Sequence, residues 1–529
     1  MKKNQIKLLY NTLYYLKPIQ VYYRIYYFLR NKFLKKELKK RKPENFVPIT
    51  WKQTVVNKNS YLHNNNGFLF LNISHFFNKE IDWNYDDFGK LWTYNLNYFD
   101  YLQQKNISKE TGVQLIKNYV KKDALIKDGK EPYPISLRGI NWVKFLSQNH
   151  VKEEVVDATL YNHYYILLKN LEFNLLGNHL LENAFSLLFA SYYFQDDRLY
   201  LKSKKLLISQ LNEQILNDGG HYELSPMYHQ ILFHRTLDCI KLITLNPFWK
   251  EDLLLGFLRG KASIMRSWLE AVTYNNGDIP MVNDSTFGIA PSSKELLKYA
   301  SELSIDSSNL PLLDSGYRKV STDEFELFID VGSVWSDYQP GHSHSDIFNF
   351  ILYFNNQPII VDTGTSTYEN NNIRYSERTT RAHNTVTINQ HDPIEVWKSF
   401  RVANRADVKI IKESKMYHKA SHNGFRKFSQ THIRTFDMQS DKLIISDELA
   451  GHHEIGAEAY IHFHDSVAIK TLTPNEIFLP AQKLSIIFEG RDVEVHTENF
   501  KLAKGFNITA SSIMVVIKFK KQLKTIIFK

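Results

Sequence analysis

The chain has 529 residues, enough for two large domains or three to four ordinary ones, so core burial is not limiting and small stapled folds are excluded. Its one cysteine, Cys239, excludes an intrachain disulfide and any cysteine-based zinc or iron–sulfur site. The net charge of +10 is concentrated in residues 1–42, which carry 13 Lys or Arg against one acid, Glu37. The remaining chain is close to neutral, so a basic nucleic-acid groove across the body is not expected.

In chain order, residues 1–45 read as a basic, tyrosine-rich arm. Nine aromatics between Tyr10 and Phe33 are interleaved with Lys17, Arg24, Arg30 and Lys32, a composition suited to peripheral contact with an anionic membrane or to packing on the protein's own body. No run of 18 apolar residues predicts a spanning helix, and the opening lacks the apolar core of a secretory signal. A cytoplasmic or inner-membrane-associated location is therefore the expectation, with a periplasmic one left open. Residues 46–312 carry apolar residues at i, i+3, i+4, i+7 spacing, as over 111–123, 157–175, 179–193, 199–216 and 261–274, which predicts helix packed on helix in a bundle or toroid. From about residue 313 to 529 the period falls to two, with a boundary near 305–320. Segments such as EFELFIDVG, HNTVTIN and SSIMVVIKF predict an antiparallel β-sandwich.

Four polar clusters interrupt these elements. Gly177-Asn178-His179 precedes a helix, with Asn178 expected as its N-cap and Glu182 about one turn on. A double glycine opens the loop 218–225, whose Tyr222 and following Tyr228 face a cavity. His342 and His344 alternate on one extended segment, and Asp362 ends the next strand. With His383, the pair His344 and Asp362 forms a nitrogen–oxygen set suited to zinc. Tyr222, Arg235, Trp397 and Arg401 are candidate ring-stacking or carboxylate-pairing residues for a ligand in an inter-domain cleft.

The stretches GNHLLENA, DGGHYELSPMYH, GHSHSDIFNFILYFNNQPIIVDTGTSTY and RAHNTVTINQHDPIEVWKSFRV occur in this order, and together they resemble the heparinase II/III-like polysaccharide lyases, which include related alginate lyases. The resemblance implies an N-terminal helical (α/α) toroid followed by an antiparallel β-sandwich. It casts Asn178 and His179 as binders of the substrate carboxylate, Tyr228 and His342 as catalytic, Glu182 as an acid beside the site, and His344, Asp362 and His383 as ligands of a zinc that supports the site floor. The implied substrate is an anionic, uronate-containing polysaccharide cleaved by β-elimination.

That reaction removes the proton at C5 of a uronate and expels O4, so it needs hydrogen-bond donors on the carboxylate, a base and an acid. Tyr228 can serve as both base and acid in a syn elimination, or as the acid opposite His342 in an anti one. A C5 uronate epimerase would use the same residues without expelling O4. A non-catalytic glycan-binding or assembly protein is the third reading. The near-neutral body favours a lightly charged uronate polymer over heparin, and the basic arm in place of a signal favours work on the cell's own capsule or exopolysaccharide.

Overall fold

The computed structural model describes residues 3–33, 41–62, 66–249, 252–334 and 336–529; the basic run at 34–40 of the expected arm lies outside this set. The arm forms two helices, α1 (Lys3–Leu13) and α2 (Pro18–Phe33). Pro18 at the first position suits a helix start, and the Gln20 side chain accepts from Lys17 N. Gln20 is buried and also donates to Leu175 O (3.0 Å) and Tyr338 O (3.3 Å). Tyr27 donates to Leu171 O, while Asn11 and Thr12 of α1 bond Asn404 and Val402 O. The arm thus lies on its own body and touches both domains.

A short antiparallel meander, 61–62, 67–70 and 73–76, comes next and was not expected. Nine helices follow among the described residues: α3 (Lys90–Tyr98), α4 (Lys109–Lys122), α5 (Pro132–Gln148), α6 (Glu154–Lys169), α7 (Gly177–Phe194), α8 (Asp197–Gln214), α9 (Pro226–Leu245), α10 (Asp252–Val272) and α11 (Ser293–Glu302). Helix α7 is apolar on every side, and all its residues except His179 are buried. A helix hydrophobic all round belongs in the interior, and α7 is packed between α5, α8 and α9. Helix α11 opens with a full capping box, Ser292 with Glu295.

The last helix ends at Glu302 and the first sandwich strand begins at Tyr317. Strands 317–321, 325–330, 350–354 and 357–360 form one antiparallel sheet. Both of its faces are covered, which is why Phe325–Asp330 is buried throughout. Leu327 and Ile329 meet the second sheet, while Phe328, Tyr317, Ile351 and Tyr353 pack on Leu224, Trp268 and Val272 of the helical domain. The second sheet has ten strands and ends in the long hairpin Leu484–Gly505 with Ile508–Phe528. Its burial alternates, as in Gln430–Met438, because only one side faces the core. On that sheet Arg434 grips Asp447 and donates to Phe348 O (2.8 Å) and Asn384 O (2.7 Å), fixing loops that lead to the site. Among the described residues no helix is long and apolar enough to cross a membrane.

Candidate active site

The helical domain supplies half of the site through two helix starts and one loop. Helix α7 begins at Gly177, so Asn178 lies inside the first turn and is not the N-cap. Gly177 has φ +60°, and a Cβ there would sit 2.6 Å from Glu223 Oε1, so only glycine lets Glu223 approach. Glu223 accepts from Asn178 N (3.0 Å) and Asn178 Nδ2 (2.8 Å). At α9, Ser225 caps by accepting from Tyr228 N, and Pro226 occupies the first turn. Ser225 Oγ also donates to Asp284 O, tying Tyr228's turn to the loop that carries Asp284.

From the sandwich side comes His342, 3.5 Å from Glu223 through Nε2. Its Nδ1 donates to Asp284 Oδ2 at 2.7 Å, which orients the ring and turns Nε2 toward Glu223. Asp284 in turn receives both terminal nitrogens of Arg374, from the short helix α12 (Asn372–Glu377), with Nη2 to Oδ2 at 2.7 Å. Burial opposes ionisation of Asp284, but Arg374 together with His342 and His344 holds its carboxyl well below the usual range.

Tyr228 stands beside His342, ring centroids 4.1 Å apart, and its hydroxyl meets Tyr368 at 3.3 Å. Burial pushes the Tyr228 phenol up, so it carries its proton at neutral pH. Tyr368 lies between Phe400 and Phe506, and His342 is 6.2 Å from the exposed ring of Phe400. Half-buried His179 packs on Tyr133 and gives Nδ1 to Glu172 at 2.9 Å. Burial disfavours its imidazolium, yet Glu172, with Glu223 and Glu182 farther off, outweighs that and raises its pKa.

Asn178, Tyr228 and His342 are therefore brought together, with His179 facing the same cleft from the next position of α7. The other expected sugar contacts are not on the cleft surface. Glu182 has no exposure and faces Arg235 at 3.4 Å, and Arg235 is itself almost fully buried, so this is an internal ion pair of the helical domain. Tyr222 is buried, bonded through its hydroxyl to Tyr338. Trp397 donates to Thr12 of the arm and carries Arg401 over its ring at 4.8 Å, which places both on the rim against α1. Phe400, between them in sequence, is the residue that reaches the site.

The zinc expectation can be tested on hydrogen bonding. His344 Nε2 donates to Asp284 Oδ1 (2.9 Å), and His383 Nδ1 donates to Asp362 Oδ2 (2.7 Å). The opposite nitrogens, His344 Nδ1 and His383 Nε2, are buried without a partner, and the two rings are 5.3 Å apart. Burial pushes His344 down to about 3, leaving a neutral imidazole. Two carboxylate-oriented histidines with open lone pairs fit a zinc ion in kind. Asp362 here orients His383 and also accepts from Asn349 and Gly364 N. No group of three His, Cys, Asp or Glu side chains is already gathered for coordination among the described residues.

Sequence reasoning missed Asp284, Arg374, Glu223, Tyr368, Tyr133 and Phe400. Asp284 had a usable signal, a polar run after Pro280-Met281-Val282 in a Gly/Pro turn region like the other clusters. Arg374 had none.

Against known proteins, the heparinase II/III N-terminus profile matches residues 135–306 and the heparinase II/III-like C-terminal profile matches 307–528. A heparin-sulfate lyase of Bacteroides stercoris is 25% identical over 255 residues, a match covering 40% of this chain and 36% of that protein, little more than a third of its length. A crystal structure of a heparinase III superposes with TM-score 0.66 at 14% identity, over 97% of this chain and 92% of that one. Heparan sulfate lyase from Pedobacter heparinus gives TM-score 0.55 at 15% identity, over 86% and 79%. These superpositions establish the shared fold, a helical domain followed by an antiparallel β-sandwich. With both halves matched in order from residue 135 to 528, the chain belongs to the heparinase II/III-like family.

Proposed function

We propose that the protein is a polysaccharide lyase that cleaves a uronate-containing glycan by β-elimination. The observation that carries this reading is the meeting of Asn178, Tyr228 and His342 at the domain junction, with Asp284 orienting the His342 ring through Nδ1. Asn178 and His179 would hold the uronate carboxylate and stabilise the negative charge that develops on it. His342 would take the C5 proton and Tyr228 would give its proton to O4.

The stack of His342 on Tyr228 bears on stereochemistry. At 4.1 Å between ring centroids no sugar ring fits between them, and we infer that both meet a bound sugar from one side. Base and acid on one side support syn elimination, which needs C5–H and O4 on the same face, as in glucuronate or mannuronate and not in iduronate or guluronate. The same geometry weighs against an epimerase, which must return a proton to the opposite face. Arg235 and Arg374 are each neutralised by a buried acid and unavailable to sulfate groups, in keeping with a lightly charged polymer. The test is the ultraviolet absorbance of a C4–C5 unsaturated uronate on a panel of such polymers. Absence of that signal on every polymer, with deuterium exchange at C5, would replace the lyase reading by an epimerase one.

The raised pKa of His179 adds a pH signature. Its imidazolium persists to higher pH than that of an ordinary histidine and is lost as pH rises through the raised value. KM is therefore expected to rise toward alkaline pH in the native protein, with this dependence flattened in His179→Gln. Identical KM profiles would remove His179 from carboxylate binding.

For the metal, we infer that His344 and His383, with Asp362, hold zinc, which would brace the floor beneath His342 without attacking substrate. Metal analysis should find zinc in the native protein and little in His344→Ala or Asp362→Ala. Equal content in all three would sink the assignment.

A further inference from the structure

Helix α2 docks by one stripe and leaves another bare. The inward stripe is Gln20, Tyr23, Tyr27 and Arg30, spaced i, i+3, i+7, i+10. It engages the 169–175 connection of the helical domain, with Tyr23 stacked on Phe173 at 4.7 Å and Arg30 on Lys169 O. Turned away from the body are Tyr22, Ile25, Tyr26, Leu29 and Phe33, spaced i, i+3, i+4, i+7, i+11 and all exposed, Phe33 to 67%. Helix α1 repeats the pattern with Ile6 and Tyr10, and the turn after it adds Tyr14, each more than half exposed. The inward faces account for docking; they give no reason for the outward ones to be apolar. A solvent-facing stripe of this kind on two successive helices marks an interaction surface.

Charge selects the occupant. From Lys3 to Phe33 there is no acid, and the stripe is accompanied by Lys7, Lys17, Arg24, Arg30 and Lys32. Lys17 and Arg30 are engaged with the body, through Glu213 and Lys169 O. Lys7 and Lys32 remain exposed, and Lys32 lies beside the rings of Phe28 and Phe33 at 5.6 and 5.3 Å. Aromatic rings beside cations, on a segment without an acid from Lys3 to Phe33, match the boundary between lipid headgroups and acyl chains: the rings bury their apolar bodies and the ammonium groups meet anionic headgroups.

We propose that α1 and α2 seat the protein on an anionic membrane surface, with the outward stripe of α2 inserted at headgroup depth. The surface is independent of the catalytic reading, since none of its residues belongs to the site. The two helices also bond rim residues of both domains, Leu175 on one side and Val402 on the other, so the cleft is held at a set attitude to the bilayer.

Co-sedimentation of the full chain with vesicles tests this. Vesicles of phosphatidylglycerol and phosphatidylcholine should carry down the protein, pure phosphatidylcholine should carry down much less, and added salt should weaken binding. The triple variant Tyr22→Ser/Ile25→Ser/Leu29→Ser, altered only at exposed positions and checked by circular dichroism, should lose about ten-fold or more in partitioning. Lys7→Gln/Lys32→Gln should narrow the difference between the two vesicle types. Binding to neither vesicle, or equal binding by the native chain and the triple variant, would overturn the proposal. So would a dimer, seen by light scattering, that the triple variant dissolves while vesicle binding is absent, for the face would then belong to a second copy.

Discussion

Replacing Tyr228 by Phe is expected to lower kcat on the cleaved polymer by about 10³-fold with little change in KM, because the ring that packs on His342 stays while the proton for O4 is lost. The substitution removes one hydroxyl whose protein partner is Tyr368, so the fold should be unaffected. Steady-state kinetics by ultraviolet absorbance would measure this, beside His342→Ala, which should be equally inactive. Full activity in Tyr228→Phe would place the leaving-group proton elsewhere and end the assignment of base and acid given above.

Asp284→Asn should be costly twice over. The change keeps the size of the side chain but leaves the fully buried Arg374 guanidinium without its counter-charge, and breaking a buried pair in this way costs about 3–5 kcal/mol. It also replaces by an amide NH2 one of the two oxygens that receive His342 Nδ1 and His344 Nε2, loosening the hold on these rings, so kcat should fall by about 10²-fold or more. The two effects are separable. Adding Arg374→Met removes the stranded charge and should recover part of the stability, read as the denaturant midpoint, while activity stays low. Recovery of activity along with stability would show that Asp284 acts only through folding.

How far such a site could be read from the text depends on how local its parts are. Asn178 and His179 are adjacent, His342 and His344 are two apart, and Tyr228 follows a Ser-Pro helix start; each group is carried by a short pattern of turn residues and periodicity. The change from a period of 3.6 to a period of two was legible for a similar reason, because long elements repeat their signal. Asp284 and Arg374 are 90 positions apart, and their pairing is tertiary, so neither an Asn-Asp-Ser turn nor a six-residue helix announces it. Glu182 and Arg235 looked accessible because charged residues usually are; the helical domain buries them against each other. Trp397 and Arg401 were displaced for a different reason. Where a short hairpin lies depends on what packs over it, and here that is α1, whose docking surface no local pattern encodes. The brief strands at 61–76 failed to register because two to four residues are too few to establish a period.

Arg434 has a consequence for the order in which the protein becomes functional. During synthesis Asn178 and Tyr228 emerge long before the strands that carry Arg434 and Asp447, yet the Phe348 and Asn384 carbonyls beside the His342 and His383 segments are held by that guanidinium. The helical half, although made first, presents an unfinished cleft to water until the sandwich closes behind it. Chains interrupted before residue 434 would therefore carry Asn178, Tyr228 and His342 and still lack the guanidinium that holds the Phe348 and Asn384 carbonyls.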